Sequence, residues 1–358
     1  MVDRRPVVND VSVMKQDWRW QDIESDAGAG EWKGLELQVE TKGTRPPRPG
    51  LHMQAGSPRL MRLMAGEWPL LWARVESDHY GYWYLRRPLA GNSPGLVMPP
   101  ITAPEARSVE APAGSPEWFR SWSRAFARKL SDSPVSPLHV GRWWLMLGDV
   151  RERDAGWLPT GVAGRSLPAV CHLDRLVVQP AAAYVDWDFG DALEPLAMRP
   201  MSGPDDARVK AWRRASREGH MPPALLMWIS GLDRYIVLDG HDRIAAALAE
   251  GTLPSVLVLC HMQERERPSQ PSRSQAITEE VARQLAASRS PDLRPNRPFG
   301  IESANRLLIE AFDNRPYLAP VSRAWPLDGG ASRWQSQVSD ALVDVADEEV
   351  RGGLLLPD

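Results

Sequence analysis

The stretch YIVLDGHDRIAAALAEG, Tyr235 to Gly251, changes character within a few residues. Tyr235 to Leu238 is a branched, apolar run with the composition of a buried strand. Asp239 and Gly240 end it, and the alanine-rich run from about Asp242 to Glu250 favours a helix. Glycine at the hinge lets the backbone approach another group closely. The start of a helix leaves N–H groups without internal partners and carries partial positive charge, which makes an anion seat. Arg243, in the first turn, is placed to fork onto the oxygens of such an anion. The same residues have a plainer reading, in which Asp239 and Asp242 cap the helix and Arg243 pairs with a nearby carboxylate.

Working outward, Ala224 to Ile229 and Arg234 to Leu238 read as strands flanking a turn at Gly231 to Asp233. Upstream, Asp205 to Glu218 reads as a helix, Leu193 to Arg199 as a possible strand and Arg175 to Gln179 as another strand. Downstream, PSVLVLC closes the unit with an apolar strand.

The order strand, Gly-His-x-Arg, short alanine-rich helix, Gly, Leu-Pro and apolar strand occupies RYIVLDGHDRIAAALAEGTLPSVLVL, Arg234 to Leu259. It resembles the core of the ParB/sulfiredoxin-like superfamily, over roughly residues 170 to 262. The resemblance implies a small mixed sheet with flanking helices, and nucleotide phosphates held at this turn. Sulfiredoxins place a catalytic cysteine directly after the motif glycine. Here His241 stands there, and neither Cys171 nor Cys260 falls in the turn, which argues against sulfinic-acid repair. Chromosome-partitioning ParB proteins bind CTP, show Glu-Arg-Arg after the glycine and carry a helix-turn-helix unit downstream. Asp242 breaks that basic pair, and no such unit is evident.

The nearest resemblance is to the Asp-Gly-His-His-Arg members, which include the free serine kinase. Asp239, Gly240, His241 and Arg243 match that pattern and Asp242 departs from it. The resemblance implies ATP or another nucleoside triphosphate held by Gly240, His241, Asp242 and Arg243, with His241 and Asp239 as catalytic groups. A carboxylate beside phosphates repels them unless a divalent cation lies between. Asp242, or Asp239, is therefore expected to hold Mg²⁺ if nucleotide binds. Phosphotransfer to a small molecule and nucleotide hydrolysis both fit. The alternative is a non-catalytic binding or regulatory protein that uses the scaffold to contact a protein or nucleic-acid partner.

The flanks differ from this centre. Residues 1 to 165 are rich in Trp and punctuated by Pro and Gly, and read as mainly β, with a hairpin at Leu70–Val75 and Tyr80–Arg86 and a strand at Val140–Leu147. One helix is signalled there by Ser115 as cap and Pro116 in the first turn, with Trp118, Trp122, Ala125 and Phe126 on one face. Its Arg120, Arg124, Arg128 and Lys129 form a basic stripe, read as a solvated face before an anion-binding one. Residues 166 to 262 form the ParB-like unit and 263 to 276 a polar linker. Residues 277 to 358 read as helical, with Thr278 and Ser303 as caps and a last helix at about Ser332 to Val345. The fold class expected is thus α/β (α+β).

A net charge of −3 over 358 residues leaves no global basic footprint of the kind nucleic-acid binders carry. No apolar run is long enough to span a bilayer, and the N-terminus lacks the apolar core of a signal peptide. Two cysteines cannot build a disulfide framework, in keeping with the cytoplasm. The pairs Cys171-His172 and Cys260-His261 offer zinc-ligand chemistry, but neighbours on a strand point to opposite faces. Asp186, Asp188 and Asp191 could bind a cation, though a solvated turn accounts for them as well. Sixteen Trp residues point chiefly to indole-filled cores.

Overall fold

The computed structural model describes residues 17–24, 32–40, 48–76, 80–87, 97–151, 167, 169–187, 194–266, 271–288, 305, 308–309, 316–343 and 345–355. The chain divides into two compact units, the first made of residues 1–161, 166–262 and 320–358, the second of 162–165 and 263–319.

The first unit is a mixed α/β body built on two sheets. One sheet runs in the order β1 (Asp17–Glu24), β2 (Trp32–Glu40), β7 (Gly141–Leu147), β12 (Val256–Arg265), β10 (Ala224–Ile229), β11 (Arg234–Asp239) and β9 (Leu196–Ala197). The other runs β14 (Ala324–Pro326), β3 (Leu51–Ser57), β4 (Leu60–Ala65), β5 (Trp68–Val75), β6 (Gly81–Arg86) and β8 (Ala182–Asp186). The first sheet pairs β12 antiparallel to β7 and parallel to β10, so it takes strands from both sides of the boundary drawn at residue 165. A unit ending there would leave the β7 edge of β12 without its ladder.

The hydrophobic pattern explains this fusion. Leu35 and Leu37 on β2, Leu145 on β7 and Leu257 and Leu259 on β12 share one buried cluster with Leu51, Leu63, Leu71 and Tyr82 of the other sheet. Helix α2 (Pro116–Asp132) adds Trp118, Trp122 and Phe126 to it. Ser115 caps α2, its side chain accepting from the Trp118 N–H at 3.2 Å, with Pro116 in the first turn as expected. The basic stripe on α2 is not simply solvated. Arg120 and Arg124 pair with Asp22 on β1, Arg128 lies over the Trp20 ring, and Lys129 bonds Glu105 at 2.7 Å on the short helix α1 (Ala103–Arg107).

Two further expectations are corrected. The Arg175–Gln179 segment is not a strand: Leu173–Val177 forms a 3₁₀ helix. Leu173 and Leu176 are buried three apart, while Val177 and Val178 are exposed, so the branched residues that suggested a strand face solvent. The strand expected at Leu193–Arg199 is only Leu196–Ala197 long.

The described residues of segment 321–355 cover the outer face of the second sheet. Trp334 and Val338 of helix α6 (Gly330–Ala341) and Val350 and Leu354 of helix α7 (Glu348–Leu354) bury against Leu60, Trp72 and Leu85. Trp334 Nε1 also donates to the Met61 carbonyl at 2.9 Å. Six more tryptophans, Trp32, Trp72, Trp118, Trp122, Trp143 and Trp228, are buried in this unit, as indole-filled cores require.

In the second unit, helix α5 runs Pro271–Ser288, followed by the short strand β13 (Tyr317–Pro320). The helix starts seven residues before the expected cap, because Pro271 suits a first turn and Thr278 instead donates its hydroxyl back to the Ser274 carbonyl at 2.8 Å. Segment 263–276, read as a linker, thus contains the end of β12 and the start of α5. The helix expected from Ser303 to Phe312 falls largely outside the described residues. No described helix is long and apolar enough to cross a membrane.

Candidate functional site

Strand β10 lies between β12 and β11, and all six of its residues are buried, so both faces of the sheet are covered here. Helix α4 (His241–Ala249) covers one of them with Ala245 and Ala246, which cluster with Val209 of helix α3 (Ala207–Arg217) and with Met201, Trp212 and Met221. Alanine is needed here because two helices and a sheet meet closely. The turn from β11 into α4 therefore opens beside α3.

Gly240 makes that turn with φ +98°, a left-handed conformation that side chains resist. A Cβ there would lie 2.8 Å from the Ala224 Cβ and 2.9 Å from Arg243 Nη2. Gly240→Ala is expected to lower unfolding free energy by roughly 2 to 5 kcal/mol, summing backbone strain and overpacking. Urea denaturation checks this, and a loss under about 0.5 kcal/mol would mean the turn relaxes freely.

The three residues after the glycine are all buried, with Asp242 and His241 each 4% exposed. The Asp242 carboxylate is held from two elements. Oδ1 accepts from Arg199 Nη2 at 2.9 Å and Ser202 Oγ at 2.8 Å, and Oδ2 lies 3.4 Å from Arg208 Nε on α3. Burial alone would raise its pKa, but the hydrogen bonds from Arg199 and Ser202 and the charges of Arg199 and Arg208 outweigh burial and hold it below the ordinary carboxylate range. Arg243 turns inward, bonding Asp239 Oδ2 at 2.8 Å and the Pro223 carbonyl at 3.1 Å, with its guanidinium 5.7 Å from the Trp212 ring centre. His241 has a buried Nε2 with no hydrogen-bond partner among the described residues. Burial first, then the charge of Arg199, push His241 down from 6.5 to about 3, so it is neutral at physiological pH.

These side chains line one end of a cleft. Val97, Pro100, Ile101, Met198, Trp212 and Leu238 form its apolar walls, while Arg199, Arg208 and Arg243 against Asp239 and Asp242 leave a formal charge of three minus two, or +1. All four residues singled out in the turn, with Asp239, thus meet at one pocket. Arg199, Ser202, Arg208 and Trp212 escaped the sequence reading. They lie on a loop and on the neighbouring helix, and no spacing within the motif signals them.

The Mg²⁺ site expected at Asp242 does not fit this donor set. Both carboxylate oxygens are engaged, and two guanidinium cations stand where a metal ion would need to approach. Asp188 and Asp191 lie outside the described residues. Cys260 is fully buried with its Sγ facing the Trp144 carbonyl, and the described residues contain no group of three or more His, Cys, Asp or Glu placed to hold a metal.

No known protein-family model matches the chain, and neither do any curated protein or solved structure.

Proposed function

We propose that the cleft at the start of α4 binds a small molecule with an anionic group and an apolar or aromatic body, a nucleotide being the best fit. The observation that carries this reading is the excess of guanidinium over carboxylate at a helix start, beside a chamber walled by Trp212, Ile101 and Met198. Anionic oxygens would lie toward Arg199, Arg208 and the helix start, and the base against the apolar wall. The resemblance of the turn to the ParB-like type supports the same placement. His241, uncharged, would serve the ligand as a hydrogen-bonding group, with no charge of its own.

A second reading, binding without turnover, draws on the carboxylates. Phosphotransfer and hydrolysis need a base for the attacking hydroxyl, and Asp239 and Asp242 are both tied to arginines. Nucleotide binding as a regulatory signal is thus the leaner form of the proposal, and an ATP- or other NTP-dependent phosphotransferase or NTPase the richer one.

Thermal unfolding with ATP, CTP and GTP in turn, with and without Mg²⁺, tests the common core. A nucleotide at about 100 times its dissociation constant stabilises by about 2.7 kcal/mol, enough to raise the melting temperature by a few degrees. No rise with any nucleotide would remove the reading. A rise without any phosphate release on prolonged incubation would select the regulatory form.

A further inference from the structure

The pocket already contains an anion of its own. Asp242 is buried, receives Arg199, Ser202 and Arg208, and shares the cleft with all of them but Ser202. Arg199 is a quarter exposed and Arg208 is 60% exposed, and both line the cleft while each is paired with the carboxylate. The unpartnered Nε2 of His241, buried at the same end, marks a polar position that the chain itself leaves unsatisfied.

We propose that Asp242 is the internal counter-anion of this pocket: it poises Arg199 and Arg208 over the start of α4, and a phosphate-bearing ligand binds those two arginines as the free anion, without a metal ion. The inference rests on the cleft being an anion site. It deepens that reading by assigning the ligand form and by making Asp242 a specificity-determining residue. In the absence of ligand the carboxylate offsets the mutual repulsion of the two cations beside it. When an anion enters, the carboxylate becomes its competitor and its repelling neighbour, and the affinity reflects that opposition. A bound Mg²⁺ cancels part of the same ligand's negative charge, so its metal complex gains less from the two guanidiniums.

The experiment is a calorimetric titration of ADP and of inorganic pyrophosphate, in EDTA and in excess Mg²⁺, into the full chain and into Asp242→Asn. A parallel arm follows Mn²⁺ bound to the chain alone by its electron paramagnetic resonance signal. The expected results are binding in EDTA at least as tight as in Mg²⁺, no Mn²⁺ bound through Asp242, and about tenfold tighter anion binding by Asp242→Asn, because asparagine keeps the shape and removes the opposing charge. Circular dichroism establishes that the variant is folded, and Asp242→Ser repeats the charge removal if asparagine fails to fold. Binding that appears only with Mg²⁺, or Mn²⁺ that binds and is lost in the variant, overturns the inference while leaving nucleotide binding standing. Pyrophosphate binding without ADP binding removes the nucleotide reading and keeps the inference. Neither anion binding either protein removes both.

Discussion

Acidification is expected to destabilise this protein before most of its carboxylates titrate, because several histidines are buried uncharged. His139 is pushed down from 6.5 to about 4, first by burial and further by the charges of His261 and Arg323, against the bond from its ring nitrogen to the Val140 carbonyl. His241 is pushed down to about 3. His52 and His261 are lowered as well, each mainly by burial. The unfolded chain takes up protons as the pH falls through 6.5 while these folded imidazoles do not, so the stability they carry is present above that pH and is lost below it. At about pH 5 the loss is about 2 kcal/mol each from His139 and His241, a large share of a typical total of about 5 to 15 kcal/mol.

The geometry explains why burial prevails for the three histidines outside the pocket. The rings of His139 and His261 are 4.4 Å apart, and each donates Nδ1–H to a backbone carbonyl, Val140 and Val321 respectively. Protonation would put two cations in contact beside Arg323. For His52, burial and then the charge of Arg48 prevail over the backbone groups of Gly50 and Pro49 and the charge of Glu67, which favour protonation. Urea denaturation at about pH 7.5, 6 and 5 reads the slope directly. Unfolding free energies that stay level across that range would show that these rings are already solvated or paired. His139→Gln, which can still donate to the Val140 carbonyl, should move the acid midpoint downward.

Arg234 carries the second large effect. It is 2% exposed, and its guanidinium joins the two sheets. Nε donates to the Glu194 carbonyl at 2.6 Å, Nη1 to the Tyr82 hydroxyl on β6 at 3.0 Å, and Nη2 lies 3.6 Å from the Glu194 carboxylate. Removing one member of a buried charged set leaves the others desolvated and unpaired, at a cost of about 3 to 5 kcal/mol. Arg234→Ala is expected to lose that much in urea denaturation, with a sharp fall in soluble yield at higher temperature. Arg234→Lys should recover only part of it, since lysine keeps the charge and loses the planar fork. An alanine variant within about 1 kcal/mol of the parent would mean that water replaces the guanidinium at little cost.

The contrast between Arg234 and the turn shows what sequence can and cannot reveal here. Strands β10 and β11 and helix α4 were legible because local chemistry decides them: branched runs, an Asp-Gly break, then alanines. Helix α2 was legible through Ser115, Pro116 and its Trp118–Trp122–Phe126 face. Partners distant in sequence left no such trace. Nothing near Arg234 points to Tyr82, and nothing near Asp242 points to Arg199 or Arg208. The fusion of β2 and β7 with β12 depends on pairings more than a hundred residues apart along the chain, which alternation within each strand does not specify. Arg243 shows the limit most clearly: its place in the first turn suits a phosphate, yet the folded chain supplies Asp239 and Pro223 as partners, and Arg208 takes the exposed position.

Arg208 therefore gives the most direct measurement of the central claim. It lies on the outer side of the cleft, 60% exposed, so Arg208→Ala should leave the melting temperature without ligand almost unchanged. Calorimetric titration with ATP in EDTA is predicted to show binding by the parent and about tenfold weaker binding by Arg208→Ala, the loss of one charge-assisted contact. Equal affinities for parent and variant, or no heat from the parent, would contradict a phosphate seat at the start of α4.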